Sequence, residues 1–564
     1  MKDSLLKAVK GAYGLLPEKS KTRLRRYHNL REWYGNKLRQ SSIAYEVPPL
    51  RKIRRLHQLH LLSQKERLNT TVAGEQTINV LIVGDQGYAK TVKSLTCLKT
   101  NINKVYIDHA VCREGLNTAL PVESRATMNT GAFPLLVLRA GVMIYEDVLA
   151  ASLDNTEAAD ITYFDAFTVN DQNKLQTYQF LPDWNPDLLL ATGYIASAIL
   201  LKPDSKLNTF FIKENHIESA LADAYLSGVD FTVDHKSLSF TYSHKEKTNL
   251  YSLKSAIDQH RLQTENLTGN VLSVQWPLLS KPLVSLVIPT YNAKALVKAC
   301  IDSILEKTVY QNYEILLVDN NSNDPECLAY FDELDKHHKI RLLKYPHPFN
   351  YSAINNFAVK QAKGEIIGLV NNDIEVISPH WLEYMAAHAM REDIGCVGAK
   401  LLYSDDRIQH AGVVLGYGNG AGHAHKYFPR FHPGYMNRLI ATQNYSAVTA
   451  ACLLVKKSKY EEVGGLNEKD LHVAFNDVDF CLKVRETGVR NVYCAEAELY
   501  HHESVSRGLD ISEAKAARFN RELTYLRTQW KKYIDHDPAY NPNLTRKREN
   551  FGIKVKEEYS DNNS

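Results

Sequence analysis

In the second half of the chain, short apolar runs alternate with segments whose apolar positions recur every three to four residues. Residues 284–289, 314–319 (EILLVD), 340–345 and 365–370 read as buried strands. Between them, Leu296, Val297, Cys300, Ile301, Ile304 and Leu305 mark a helix over 294–306. Further helices are predicted near 325–336 and over 351–363, the last capped by Gly364. This order predicts an α/β fold: a parallel sheet wound with helices on both faces, with ligands taken beyond the carboxyl ends of the strands. Upstream, 78–84, 133–138 and 160–169 read as strands of a first α/β region. Residues 245–275 read as polar and helical, and PLLSKP (277–282) as a hinge.

The strand over 365–370 ends in Asn371, Asn372 and Asp373, polar groups that are costly to bury without partners. Two other strands end alike, at Thr290-Tyr291-Asn292 and at Asp319-Asn320-Asn321-Ser322. One such cluster is an ordinary turn. Three at corresponding places in successive strands describe one pocket. Neither GxxxxGK[ST] nor GxGxxG follows the first strand, and the glycine-rich LGYGNGAGHAH (415–425) reads as a flexible loop. Without a phosphate-cradling loop a diphosphate needs a cation. Mg2+ or Mn2+ suits a site with one or two protein oxygens. Asp373 is the expected ligand, with Asn371 as a neutral oxygen donor or as a partner hydrogen-bonded to a ligand, and Asp319 is placed to accept from a ribose hydroxyl or a base N–H. Asp477 and Asp479 stand at the start of an amphipathic helix; Asp479 reads as a cap, and Asp477 as the acid that faces a cleft. His501 ends an apolar strand (ELYHH) and is a further expected metal contact.

Composition changes this picture little. The chain of 564 residues is 44% hydrophobic and 23% charged, which suits two or three ordinary globular domains. The net charge of +4 is uneven: residues 1–60 carry +11 and the remainder −7. That basic segment has a rough helical face (Leu5, Leu6, Val9, Tyr13, Leu16) and reads either as contact with an anionic membrane or partner, or as a solvated helix. The eight cysteines form no CxxC pair and several lie in apolar runs, which favours a reducing compartment. The start lacks a signal-peptide core, and the longest uncharged apolar stretch (188–201) is too short to span a bilayer. The expected location is the cytoplasm, peripheral to the membrane if the basic segment binds it.

The ordered set VSLVIPTYN, EILLVDNNS, NNFAVKQAKGEIIGLVNND, GGLNE, NDVDFCLKVRETG and LYHHESVSRG resembles the bacterial family-2 glycosyltransferases, over about residues 283–550. It is most similar to their branch for O-antigen and other surface-polysaccharide assembly. The resemblance implies a Rossmann-like GT-A domain and an inverting transferase that uses a nucleotide-diphosphate sugar, a divalent metal and a saccharide acceptor, lipid-linked by inference. It implies that Pro289, Thr290, Tyr291, Asn292, Asp319, Asn321, Asn356, Asn372 and Asp373 meet the nucleotide sugar. Asp373 and His501, with Asn371, would hold the metal, and Asp477 would be the base. Asn371 departs from the family pattern, standing where the first acid of a DxD run is expected.

A second resemblance covers DITYFDAFTVNDQNKLQTYQFLPDWNPDLLLATGYI (160–195), which is similar to a transferase domain fused ahead of this one in related enzymes. An acid run is expected shortly before it. LLVLRAGVMIYED (135–147) has Arg139 and Gly141 in those places, Glu146 and Asp147 read as surface charges, and FTYSHKEKT (240–248) is a poor copy of the terminal histidine segment. The expected organisation is a basic helical segment (1–75), a degenerate GT-A-like domain without a metal site (76–245), a helical linker (246–282), a catalytic GT-A domain (283–530) and a tail (531–564). Two rival classes remain: a non-catalytic carbohydrate-binding or assembly subunit, and a nucleotidyltransferase, for which Lys294 is available but no glycine-rich loop.

Overall fold

A computed structural model describes residues 50–68, 76–84, 86–108, 118–129, 131–153, 159–170, 172, 174–243, 250–267, 270–502, 513–555 and 558. Most of the basic segment expected over 1–75, and with it most of the proposed membrane contact, lies outside these residues. So do 244–248 of FTYSHKEKT and 503–508 of the histidine motif.

In the C-terminal half the strands are β1 (Val284–Thr290), β2 (Tyr313–Asp319), β3 (Ile340–Lys344), β4 (Ile366–Val370), β5 (Ile374–Val376), β6 (Ile394–Leu402), β7 (Cys452–Lys456) and β8 (Arg490–His501). Across the sheet they run β3-β2-β1-β4-β7-β6-β8-β5. The first four are parallel, β7 opposes β4 and β6, β8 is parallel to β6, and β5 opposes β8. Helices α1 (Lys294–Lys307), α2 (Pro325–Leu334), α3 (Tyr351–Val359), α4 (Trp381–Ala389) and α5 (Asn476–Glu486) cover the two faces. The near-continuous apolar runs follow from that cover. Leu286, Ile288, Ile315 and Leu317 meet Val297, Cys300, Ile301 and Ile304 of α1 on one side. Val287, Leu316, Val318 and Leu369 meet Ile354 and Ala358 of α3 on the other.

The N-terminal half repeats this winding strand for strand. Val122–Ser124, Asn101–Ile107, Thr77–Val83, Leu135–Arg139, Ala198–Leu201, Ile161–Val169, Val233–Ser243 and Val142–Met143 follow in the same spatial order with the same parallel and antiparallel pairings. Backbone hydrogen bonds align the two copies residue by residue. The Asn371 N–H donates to the Ala451 carbonyl at 3.0 Å, as the Arg139 N–H donates to that of Ser197 at 2.9 Å. Arg139, Ala140 and Gly141 therefore stand where Asn371, Asn372 and Asp373 stand.

Several sequence expectations change. Residues 245–275 are not one helical stretch: Leu250–Asp258 is a helix, and Gln263–Leu267 pairs with Val271–Gln275 as a hairpin whose Val271 and Leu272 are buried. The glycine-rich 415–425 is no free loop, because Val413–Leu415 pairs with Ala421–His423. Gly364 does not cap α3, which closes at Lys360. It lies against β1, where a Cβ would come within 2.6 Å of the Ser285 nitrogen. Glu146 is not a loose surface charge either, since its carboxylate accepts from the N–H groups of Lys99 and Thr100.

The halves are clamped together. Arg391 donates to Asp187 at 2.5 Å and stacks 3.9 Å from the Trp276 ring. After the helix α6 (Glu513–Gln529), the chain reaches the N-terminal half. There the Asn541 amide donates to both oxygens of Asp165, at 2.9 Å each, and His536 meets Asp183 at 2.9 Å. His235, buried between Asp165 and Asp183 at 3.0 Å each, is the centre of this cluster. Burial alone would lower its pKa; the two carboxylates outweigh it and raise the group to about 9. Because the folded-state value lies above the unfolded one, the imidazolium's contribution is complete below the ordinary histidine range and is lost as pH rises through about 9. Thermal melts between those limits are expected to show falling stability, and His235→Gln is expected to flatten that dependence.

Candidate functional site

The parallel strands end on a cavity of about 990 Å3. Its walls include Pro289, Thr290 and Tyr291 after β1, Asn320 and Asn321 after β2, and Asn371, Asn372 and Asp373 after β4. The three polar strand ends thus meet in one hollow, and Asp477 and His501 open onto it as well.

Sheet pairing brings the acid and the histidine together. β5 lies antiparallel to β8 with Ile374 opposite His501, and the His502 N–H donates to the Asp373 carbonyl at 3.0 Å, which ties the turn before β5 to the end of β8. The His501 Nε2 is 3.1 Å from an Asp373 carboxylate oxygen. The other ring nitrogen, Nδ1, donates to the Gln409 side-chain oxygen at 2.7 Å, which leaves a lone pair on Nε2. The Asn371 amide nitrogen donates to that atom at 3.2 Å, while its oxygen accepts from the Tyr351 hydroxyl at 3.2 Å. Asn371 therefore orients His501, with its oxygen engaged by Tyr351. An imidazole nitrogen this close to a carboxylate oxygen is bridged either by a proton on the ring or by a cation that displaces the amide contact, and hydrogen bonding of the far ring nitrogen is how ligating histidines are held. The pair suits a divalent cation whose remaining positions are filled by phosphate and water. Among the described residues, no cluster of three or more acids, histidines or cysteines forms a fuller set.

On the opposite wall, Asp477 is the second residue of α5. One carboxylate oxygen accepts from the Thr449 hydroxyl (3.0 Å) and the Ala450 N–H (3.2 Å), the other from the Val478 N–H (2.9 Å). Burial raises its pKa above the ordinary carboxylate value against these donors. Asp479 faces away, accepting from the Trp530 indole at 2.8 Å, and is not at the cavity.

Asp477 is held by a device that sequence reasoning missed. Phe475, just before α5, has φ +59, a left-handed conformation unfavourable for a bulky residue. The buried Glu522 carboxylate on α6 accepts from three successive N–H groups of the approaching loop: His472 (3.1 Å), Val473 (3.2 Å) and Ala474 (2.9 Å). The same helix brings Lys515, Arg518 and Phe519 to the cavity. Their spacing with Glu522 and Leu526 follows a helical face, the one signal from which they were legible. Tyr351 and Gln409 fall in FNYSAIN (349–355) and IQHAGVVLG (408–416), two segments that the sequence reading places on the donor or acceptor side, whereas Thr449 gave no signal.

Three expected nucleotide contacts sit elsewhere. Asn356 is buried and pinned to the following loop: its oxygen accepts from the Leu466 N–H and Tyr460 hydroxyl, and its nitrogen donates to Leu466 and Glu468. Asn292 binds the backbone of Asn323 and Asp324, joining two strand-end loops. Asp319 accepts from the Ser322 N–H at 3.0 Å, so it shapes the turn that presents Asn320 and Asn321.

Residues 285–464 match the family described as Glycosyl transferase family 2. A Sinorhizobium fredii protein designated y4gI is 41% identical over 432 residues, 71% of this chain and 46% of that protein. The O-antigen biosynthesis protein RfbC of Myxococcus xanthus is 31% identical over 72% of this chain and 33% of its own length. The chain spans less than half the length of these two relatives. A solved mannosyltransferase of Pyrobaculum calidifontis, in complex with GDP-Man and Mn2+, aligns with 46% of this chain and 67% of its own at 17% identity and a TM-score of 0.34.

Glu522→Gln is expected to lower stability by about 1–3 kcal/mol, the range for a lost charged acceptor of buried N–H groups. Thermal denaturation checks the loss, and hydrogen exchange at residues 472–474 should speed up with it.

Proposed function

Residues 285–464 form a domain of glycosyl transferase family 2, and we propose on that premise that it is an inverting glycosyltransferase of surface-polysaccharide synthesis. A sugar passes from a nucleotide-diphosphate donor to a hydroxyl of a saccharide acceptor, lipid-linked and met at the cytoplasmic face of the membrane. The observation that carries this reading is the convergence of Asp373 and Asp477 on one cavity beyond the carboxyl ends of the strands.

The chemistry divides between the two acids. Thr290, Tyr291, Asn321 and Asn372 line the donor side, and Asp319 supports it from beneath through its hold on the β2 turn. Asp373 and His501 would hold a Mn2+ or Mg2+ ion there. Such an ion supplies the positive charge that a departing diphosphate requires, in place of an acid to protonate it. On the far wall Asp477 takes the proton of the acceptor hydroxyl as that oxygen attacks the anomeric carbon from the opposite face. One base thus suffices, whereas a glycosidase needs two carboxylates flanking the bond. Asp477 acts in its charged form, so a raised pKa moves the acid limb of the rate profile above the usual carboxylate range.

The N-terminal copy serves as a scaffold or acceptor-binding domain without a metal site, a reading supported by Arg139, Ala140 and Gly141 in place of the strand-exit amides and acid. Among the described residues no helix is long and apolar enough to cross a membrane. Contact with the bilayer falls instead to the basic residues 1–60.

Asp477→Asn is expected to leave donor binding intact and cut turnover by about 10²–10⁴-fold. Asp373→Ala is expected to abolish the Mn2+-dependent part of nucleotide binding. Calorimetric titration of nucleotide sugars with and without Mn2+, alongside a transfer assay, measures both. Near-normal turnover in Asp477→Asn would move the base elsewhere.

A further inference from the structure

The strand-end cavity does not stop at Asp477. A second hollow of about 400 Å3 adjoins it and shares Ala421, Phe475 and Phe519 as walls. The rings of Phe475 and Phe519 stand 5.4 Å apart at this junction. Beyond them the annex is lined by Arg546, Lys547, Arg548 and Glu549, while Lys515 and Arg518 stand on the near side.

Position says which substrate the annex serves. The strand exits that suit a nucleotide sugar lie at one end of the main cavity. Asp477 follows Phe475 by two residues, so the annex opens beside the base. A base must touch the attacking hydroxyl, and whatever extends past it belongs to the acceptor.

Charge says what the acceptor carries. Arg546 is already committed, donating to the carbonyls of Ile534 and Asp535 at 2.6 Å each. Lys547 and Arg548 are exposed. They sit on a built turn: the Lys547 N–H donates to the Thr545 hydroxyl at 3.2 Å, and Leu544 bridges to Ile553. Glu549 is the one acid among the annex walls, and Lys426 offsets its charge. A neutral sugar chain is served by aromatic faces and hydrogen bonds and gains nothing from surplus cations. A phosphate gains from both a lysine and a forked guanidinium.

We infer that the annex is the acceptor's subsite and that the acceptor presents a phosphate there to Lys547 and Arg548, its sugar lying over Phe475 and Phe519. The inference rests on the reading of Asp477 as the base. The phosphate has two possible sources: the link that ties a saccharide to a lipid, or a phosphate within the glycan.

The test is calorimetric titration of the full chain with three probes: octyl phosphate, glucose 1-phosphate and neutral octyl glucoside. A phosphate probe is expected to bind the wild type and to weaken at least about tenfold in Lys547→Ala/Arg548→Ala. The exchange Lys547→Arg/Arg548→Lys should retain binding, and octyl glucoside should not respond to either change. Tighter binding of octyl phosphate assigns the lipid link, and of glucose 1-phosphate the glycan. Equal affinity in the double alanine variant, a parallel loss for the neutral probe, or no phosphate binding to the wild type would each overturn the proposal. Binding is read without turnover, so failure of the base assignment shows separately in Asp477→Asn. Failure of the metal assignment shows in Asp373→Ala, which leaves the annex intact.

Discussion

The antiparallel pairing of β5 with β8 sets the meeting of acid and histidine at one end of the cavity. With Ile374 opposite His501, the preceding carboxylate comes within 3.1 Å of the imidazole. Asp373 sits in the turn just before β5, so a slip of one residue would carry it about 3.4 Å along β8, away from the imidazole. The register is protected by burial, since Ile374 and Val376 lie in the apolar core with Leu499 of β8. Gln409 and Asn371 then set the ring's orientation. A core contact and two amides thus hold a histidine and an acid in a posture that neither would adopt alone.

The opposite wall is built on another principle. There a helix far along the chain reaches back with one buried carboxylate and gathers three backbone donors that no secondary structure satisfies. A loop satisfied in this way can keep Phe475 in a left-handed conformation, and that turn delivers Asp477 to the cavity. Because α6 also carries Lys515, Arg518 and Phe519, Asp477 and the cationic side of the cavity depend on the same helix. The two walls are thus held differently: one is woven into the sheet, and the other joins a core-packed helix to a loop pinned by a single carboxylate.

Much of this was legible in the sequence. The strands of the C-terminal half, the three polar strand exits and the pairing of a strand-end acid with a distant histidine follow from periodicity and from the cost of buried polar groups. Illegible were the features decided by tertiary contact. Gly364 looks like a helix stop but is demanded by the approach of β1. Asn356 is covered by the separate GGLNE loop, whose Gly465 leaves room for it, a Cβ there falling 2.4 Å from its oxygen. The glycine-rich 415–425 hides a hairpin because glycine silences the alternation that marks a strand. Thr449 carries no pattern at all. Its importance comes from which loop happens to face which strand end.

The duplicated winding does not carry the same side chains at both strand exits. In the N-terminal copy the position equivalent to Asp373 is Gly141, with φ +98, and its N–H is held by the Thr91 hydroxyl at 2.8 Å. A side chain is disfavoured at such a φ. Gly87 crosses so near that a Cβ on it would come within 2.9 Å of the Gly141 nitrogen. An aspartate placed at 141 would therefore meet a backbone closed to it, and conformation bars that side chain before its chemistry could matter.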